Sequence, residues 1–282
     1  MALSQGNSTI TTVTLPDTLR FWPWQRHINP HYSSCKKASS EWVGCDLMNL
    51  FFIIDEHTDI ASSETARTQA DIVMDAIRNP EMPRPENEWV GGKAAQQFWH
   101  NATKSATPSA HRRFVDTFQM YMDAVVQEAI DRNENYVRDI DSYFVVRRDT
   151  IGAKPSFAIC ELYLNLPDSV MAHPVIEKLT ELCIDLIIIG NDLCSYKVEH
   201  EHGDDGHNLI TVVMNQFKIT PQAAINYISG LHDKLAIQFL DEWKNIPTLG
   251  GPLDLESERY FGKRGIEIQT TRQIELNIQS HL

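Results

Sequence analysis

Phe114, Phe118, Tyr121 and Val125 recur at i, i+4, i+7 and i+11, the spacing of one buried helix face. Ile225, Ile228, Leu231, Leu235 and Phe239 repeat that spacing behind Thr220-Pro221, a sound helix start because proline fits the first turn, where its missing N–H costs nothing. No stretch shows a convincing alternation of period two, and no internal repeat is visible. Apolar residues that obey only the helical period are buried by packing helix on helix, so the fold is expected to be all-α. The 282 residues, 42% of them hydrophobic, can bury a sizeable core, and no linker divides them. A single α-helical domain over 1–282 is expected, with 1–40 as an N-terminal arm. Pro16, Pro23 and Pro30 stand too close together in that arm for a long helix, and its aromatic cluster, Phe21, Trp22, Trp24 and Tyr32, needs a surface to pack on. From Gly44 the pattern turns helical and holds through position 59. Ser62-Ser63-Glu64 opens a further helix to about Ile77, and Asn79 to Pro85 reads as a loop with three prolines.

Two polar constellations interrupt this apolar pattern. The run Phe51-Phe52-Ile53-Ile54 leads directly into Asp55-Glu56-His57-Thr58-Asp59. On a helix Asp55 and Asp59 stand one turn apart, with Phe51 and Phe52 one turn below Asp55, so an acidic rim caps an apolar wall. Magnesium takes carboxylate oxygens, keeps several waters and is commonly completed by substrate phosphates, which suits a ligand with a phosphate head and a hydrocarbon body. A solvated acidic helix end has the same composition, and this motif alone does not choose between the two. The second constellation is Asn191, Ser195 and Glu199 at i, i+4 and i+8, a polar ladder about 12 Å long on one helix face, preceded by the apolar run Leu186 to Ile189. It holds three kinds of oxygen donor and neither cysteine nor histidine, which favours a hard ion over zinc. The nearby His200, His202, Asp204 and His207 fit no helical metal pair. With Gly203 and Gly206 marking a turn, Glu199 to His207 reads as a solvated acidic loop.

The formal net charge of −13, from 38 acidic and 25 basic residues, argues against nucleic acid or an anionic membrane as the main partner. Five cysteines, at 35, 45, 160, 183 and 194, are odd in number and form no C-x-x-C pair, so neither a disulfide framework nor a zinc knuckle is indicated. Met1 to Thr14 lacks the basic start and apolar core of a signal peptide, and no apolar run reaches membrane-spanning length. A soluble, cytoplasmic protein with no membrane partner is expected.

With both motifs in place the chain resembles the class I terpene synthases, most closely the fungal sesquiterpene cyclases of the basidiomycete type. Asp55-Glu56-His57-Thr58-Asp59 matches their aspartate-rich D-E-x-x-D signature, and Asn191, Ser195 and Glu199 match their second metal motif. Arg147-Arg148-Asp149-Thr150-Ile151-Gly152 is similar to the segment bearing a diphosphate-sensing arginine, and Arg259-Tyr260 to a late diphosphate-binding pair. Leu15-Pro16, Trp22-Pro23-Trp24 and Ile28-Asn29-Pro30-His31-Tyr32 look like the family's arm, so the resemblance covers nearly the whole chain in the family's order. It implies a bundle of the isoprenoid synthase type and magnesium-dependent cyclisation of farnesyl diphosphate by a monomer or homodimer. Three ions are implied, Asp55 ligating two and Asn191, Ser195 and Glu199 the third. Arg147, Arg259 and Tyr260 are then diphosphate donors, Arg148 is the alternative sensor, and Glu56 and Asp59 supply charge behind the direct ligands. Phe51 and Phe52 become the candidate cation wall, since a ring face stabilises a cation without attacking it. Taken from the residues alone, Phe51 and Phe52 read equally as core aromatics and Arg147 as half of a surface ion pair.

The chain departs from the family in two places. Between Trp42 and Gly44, and again between Leu255 and Ser257, about one helix of the family's pattern is absent, the second including a tryptophan before the Arg-Tyr pair. Lys197 also stands two places before Glu199, where many relatives carry a lysine immediately before that glutamate. A helix burying about five large apolar side chains contributes roughly 7–15 kcal/mol of gross burial, against a net stability of about 5–15 kcal/mol. The chain as it stands is therefore expected to be unstable and to have little cyclase activity, and an inactive isoform with a binding or regulatory role is the competing reading. A chain-elongating prenyltransferase fits less well, because the second site is an Asn-Ser-Glu ladder rather than a second aspartate-rich motif.

Overall fold

The structure, a computed structural model, describes residues 13–23 and 43–261, with the backbone alone at Ser105, Leu255, Glu258, Arg259 and Phe261. Its helices are α1 (Val43–Thr58), α2 (Ser63–Arg78), α3 (Val90–Ala102), α4 (Pro108–Asn133), α5 (Ile140–Thr150), α6 (Ala153–Glu161), α7 (Asp168–Met171), α8 (Pro174–His202), α9 (Leu209–Phe217), α10 (Pro221–Trp243) and α11 (Pro252–Phe261). Among the described residues there is no strand, as the absence of a period-two pattern predicts. The starts are chemically fixed. Ser62, Thr107, Asp139 and Thr220 each accept a hydrogen bond from a backbone N–H of the first turn, with Pro108 and Pro221 at the first helical position. Each such cap is worth about 1 kcal/mol over alanine. Between α5 and α6 the chain reverses at Gly152, whose φ is +70°. A Cβ there would lie 3.1 Å from the Phe51 ring, so glycine is required both for the turn and for the close approach of that ring.

Phe114, Phe118, Tyr121 and Val125 of α4 are all buried, as their spacing predicts, and α4 packs against α2, α5 and α6. Together with α1, α2, α3 and α6 this helix forms one apolar cluster, while α5, α8, α9 and α10 form a second. In the second, Ile187, Ile188 and Ile189 meet Leu209, Ile210, Val213, Ile225 and Ile228, with Leu231 and Leu235 half-buried at its edge. The arm finds its surface on α10: Trp22 sits edge-on to Phe239 at 5.7 Å, Thr14 N–H donates to Gln222 at 2.8 Å, and Arg20 pairs with Asp233. Trp24, Pro30, Tyr32 and the Ile28-to-Tyr32 segment lie outside the described residues.

Both interruptions fall at helices. Trp42 is outside the described residues, and α1 begins at the buried Val43 immediately after it. α11 runs unbroken across Leu255 and Ser257 and carries Tyr260 to a small cluster of Leu164, Leu166, Val170 and Ile176.

One arrangement positions the site. Asp55 on α1, Glu128 on α4, Arg147 on α5 and Asn191 to Glu199 on α8 all lie in the C-terminal halves of their helices, and side-chain contacts join these four ends where the two apolar clusters meet.

Candidate functional site

The ladder lies on the last turns of α8, which ends at Gly203 in the left-handed conformation. Asn191 Oδ1 accepts from an Arg147 guanidinium nitrogen at 2.7 Å, and the same nitrogen lies 3.1 Å from Asp192 Oδ1. Asp192 is 1% exposed and also accepts from the Tyr143 hydroxyl and, at 2.9 Å, from Leu209 N–H. Arg147 Nε is buried without a hydrogen-bond partner. An arginine with an unused buried donor beside an oxygen-only ladder suits an incoming anion of phosphate type. Glu199 accepts from Asn208 Nδ2 at 2.9 Å; burial pushes its carboxyl above the usual range, and hydrogen bonds from Ser195 and Asn208 pull it back.

Arg148, the neighbouring arginine, is committed elsewhere. It makes two hydrogen bonds to Asp185, at 2.7 and 2.8 Å, lies 3.7 Å from Glu181 and passes over the Phe144 ring. The two adjacent arginines therefore face opposite ways along α8, Arg147 toward the ladder and Arg148 toward its middle turns.

Across from the ladder, Asp55 accepts from the Tyr121 hydroxyl at 3.1 Å. Its carboxylate keeps contact with solvent yet is walled in by protein, the signature of a concave rim. That burial, followed by the charge of Asp59, pushes it up to about 7 against the opposing pull of Tyr121 and Arg147. Asp59 is pushed up to about 6 by burial and then by Asp204 and Glu128. The buried Glu128 is also raised, chiefly by burial, and Arg147 Nη1 lies 3.9 Å from it. These carboxylates thus share one field, with Arg147 the leading counter-charge for Asp55 and Glu128, and Arg132 for Asp59 and Asp204. Among the described residues no three of His, Cys, Asp or Glu come close enough to chelate an ion unaided. The donors are oxygen throughout and lie on facing walls, which fits magnesium completed by phosphate rather than a closed protein cage.

The structure corrects the expected loop over Glu199 to His207: Glu199 to His202 form the last turn of α8, His200, His202 and Asp204 are exposed, and the short 3₁₀ turn Asp205–His207 turns His207 inward. His207 Nε2 lies 2.7 Å from Glu128 Oε1, off the line of a hydrogen bond, and its ring packs 5.2 Å from Tyr143. Burial, then Arg147, lowers His207 to about 3, so the imidazole is neutral. This segment is part of the site wall.

The remaining predicted residues divide. Phe51 is a core aromatic, stacked 6.1 Å from Phe118 and 4.9 Å from Tyr121, whose hydroxyl holds Asp55. Phe52 is 47% exposed, and Glu56 is exposed. Tyr260 is not brought to the ladder: its hydroxyl donates to Glu161 at 3.3 Å, and Glu161 also pairs with Arg113 at 2.6 Å. The Arg259 side chain lies outside what is described. Sequence reasoning missed Glu128, Asp192, Asn208 and His207. Glu128 had a signal, since it follows Tyr121 by seven residues and is a charge on a face otherwise apolar.

Comparison with known proteins identifies the family. The family model described as terpene synthase family 2, C-terminal metal binding, matches residues 46–236. A delta(6)-protoilludene synthase of Hypholoma sublateritium is 77% identical over 327 residues, covering 100% of both chains; because this chain has 282 residues, 45 aligned positions (327 less 282) have no counterpart in it. A delta(6)-protoilludene synthase of Armillaria gallica is 44% identical, covering 94% of this chain and 93% of the other. Among solved structures, germacradien-4-ol synthase from Streptomyces citricolor superposes with a TM-score of 0.65 at 22% identity, over 77% of this chain and 72% of that one. The ancestral-reconstruction protein SVS_A2 in its A224I form gives 0.68 at 22% identity, over 77% of this chain and 63% of that one. At such identities the structural likeness supports the fold alone. No helix among the described residues is long and apolar enough to cross a membrane.

Proposed function

Because the chain belongs to the class I terpene synthases, in the fungal sesquiterpene cyclase group, we propose that it carries out magnesium-dependent ionisation and cyclisation of farnesyl diphosphate with release of diphosphate, and that the product is delta(6)-protoilludene, the compound for which its relatives are named. The observation that carries this reading is Arg147, suspended between the ladder and the carboxylates with a buried donor unused. Asp55 would hold two of three magnesium ions, and Asn191, Ser195 and Glu199 the third. When bound, magnesium neutralises charge on the leaving group.

The chain's own residues supply the rest. Asn191 would hold an ion through the amide oxygen that Arg147 now occupies, and the Arg147 guanidinium would then be free to donate to a phosphate oxygen. That donor is aimed at charge that develops as the carbon–oxygen bond breaks and diphosphate leaves with the electron pair, and such stabilisation is usually the largest single catalytic contribution. The allylic cation left behind is attacked by the substrate's own double bonds, and loss of a proton ends the sequence as a hydrocarbon. The Phe51 and Tyr121 rings back the rim, and Phe52 offers a ring face to the cation. Glu56 and Asp59 add negative charge behind Asp55. Arg148 is excluded from the sensor role in this reading because Asp185 occupies it. Arg259 and Tyr260 serve as diphosphate donors only if α11 moves toward the ladder and Tyr260 leaves Glu161. The second interruption falls within α11, between Leu255 and Ser257, and we attribute the present position of Tyr260 to the segment absent there. A monomer or homodimer in the cytosol completes the reading.

Incubation with farnesyl diphosphate and magnesium, followed by gas chromatography with mass spectrometry, tests it. The same assay is run on a chain whose two interruptions are filled from the Hypholoma relative. A cyclic sesquiterpene from either supports the proposal, with the larger yield expected from the filled chain. Only linear alcohol, or nothing, from both overturns it. A sharp melt and efficient cyclisation by the unfilled chain would show the missing segments to be dispensable.

A further inference from the structure

We propose that Asn208 is the positioning residue of the Asn191–Ser195–Glu199 ladder, an inference that rests on reading that ladder as a magnesium site. Asn208 is 0% exposed. Its Nδ2 lies 2.9 Å from Glu199 Oε2, 3.0 Å from the Asp192 carbonyl and 3.4 Å from Ser195 Oγ, while its Oδ1 accepts from Ile210 N–H at 2.9 Å. These partners fix which way the amide faces, since a flipped amide would set its oxygen against a carbonyl and a carboxylate and its NH₂ against an N–H. The amide's two donors are therefore spent on the carbonyl one residue past Asn191 and on Glu199.

The consequence for an ion is specific. Asn208 engages Glu199 Oε2, which leaves Oε1 for the metal and holds a carboxylate from the last turn of α8 in one rotamer. Ser195 Oγ, at 3.4 Å from Asn208 Nδ2, stands beside the same clamp and keeps a lone pair for a ligand. The clamp has a rigid base, because Asn208 also caps α9, whose Leu209, Ile210, Val212 and Val213 are fully buried. Partners that orient metal ligands in this way commonly govern affinity as strongly as the ligands' own geometry.

Asn208→Ser and, filling more of the vacated space, Asn208→Thr separate the two duties of the side chain: both keep an oxygen to cap α9 and both delete the amide donors. Binding of inorganic diphosphate with magnesium is followed by titration calorimetry on the full chain, beside thermal melts without ligand and Glu199→Ala as the control. Expected are melts close to the parent's and magnesium-dependent diphosphate binding weakened about 10–100-fold in both variants, with a matching rise in the magnesium concentration needed for half-maximal turnover. Parent-like binding in either folded variant, while Glu199→Ala loses binding, overturns the assignment. Loss of a cooperative melt in both variants also overturns it, since Asn208 then serves the fold alone. Parent-like binding in Glu199→Ala instead sinks the reading of the ladder itself.

Discussion

The two walls of the site are built on different principles. On the ladder side each acidic or amide side chain has a described partner, Asn191 in Arg147, Asp192 in Tyr143, Arg147 and Leu209 N–H, and Glu199 in Asn208, while Arg147 Nε stays unused. On the acidic side Asp55 has one described hydrogen bond, from Tyr121; its carboxyl is pushed upward by burial and then by Asp59, and that of Asp59 by burial and then by Asp204 and Glu128. The first wall is organised before any ligand arrives. The second carries an electrostatic conflict that a cation relieves. Specificity of geometry and the drive to bind thus come from opposite faces, and substitutions on the two faces should have different signatures.

The largest effect is expected on the organised wall. Asn191→Ala or Glu199→Ala should lower turnover by about 10²–10³-fold or more, with the far-ultraviolet circular dichroism nearly unchanged. Wild-type turnover in Glu199→Ala would falsify the ladder assignment. Next come the paired arginines. Arg147→Ala leaves the buried Asp192 with less compensation and should cost about 3–5 kcal/mol in chemical denaturation, whereas Arg148→Ala, at a side chain twice as exposed, should cost less, about 1–2 kcal/mol. Equal losses would erase the distinction between them.

The acidic wall predicts a pH dependence of opposite sense to an ordinary ion pair. A carboxyl raised in the folded protein binds protons more tightly there than in the unfolded chain, so its penalty on stability begins above the ordinary value near 4 and is complete above about 7. In metal-free buffer, Asp55→Asn should therefore raise the melting temperature more at pH 8 than at pH 5. A gain that is larger at pH 5 breaks the contrast. The smallest effect on stability belongs to Phe52→Ala, because the ring is already half exposed. In an active chain it should shift the product pattern toward early-quenched linear alcohol without weakening substrate binding, and an unchanged product profile would return Phe52 to the surface scaffold.

What was legible in the sequence follows from local geometry. The all-α architecture, the caps at Ser62 and Thr220 and both polar motifs depend on neighbours within one or two turns, and these the spacing of residues displays directly. The choice between Arg147 and Arg148 was not legible, because adjacent positions on a helix differ only in azimuth and the partners that decide it, Asn191 and Asp185, lie about forty residues away. Glu128 and His207 meet from positions 79 apart, a contact no periodicity announces. Tyr260 meets Glu161 from 99 positions away, and motif matching carries no information on where a helix lands.

The meeting of four helix C-terminal halves at the site has an electrostatic consequence of its own. Aligned peptide dipoles leave roughly half a negative charge at each helix end, strongest over the last turn, where Glu199 of α8 and Asp55 of α1 lie. A cation entering here meets the backbone's field as well as the carboxylates. A bare diphosphate meets the repulsion of both. On the proposed reading, anion and cations would arrive and depart as a unit: diphosphate without a divalent ion would have Arg147 alone to offset this field, and loss of an ion after the organic product has formed would loosen the whole inorganic cluster.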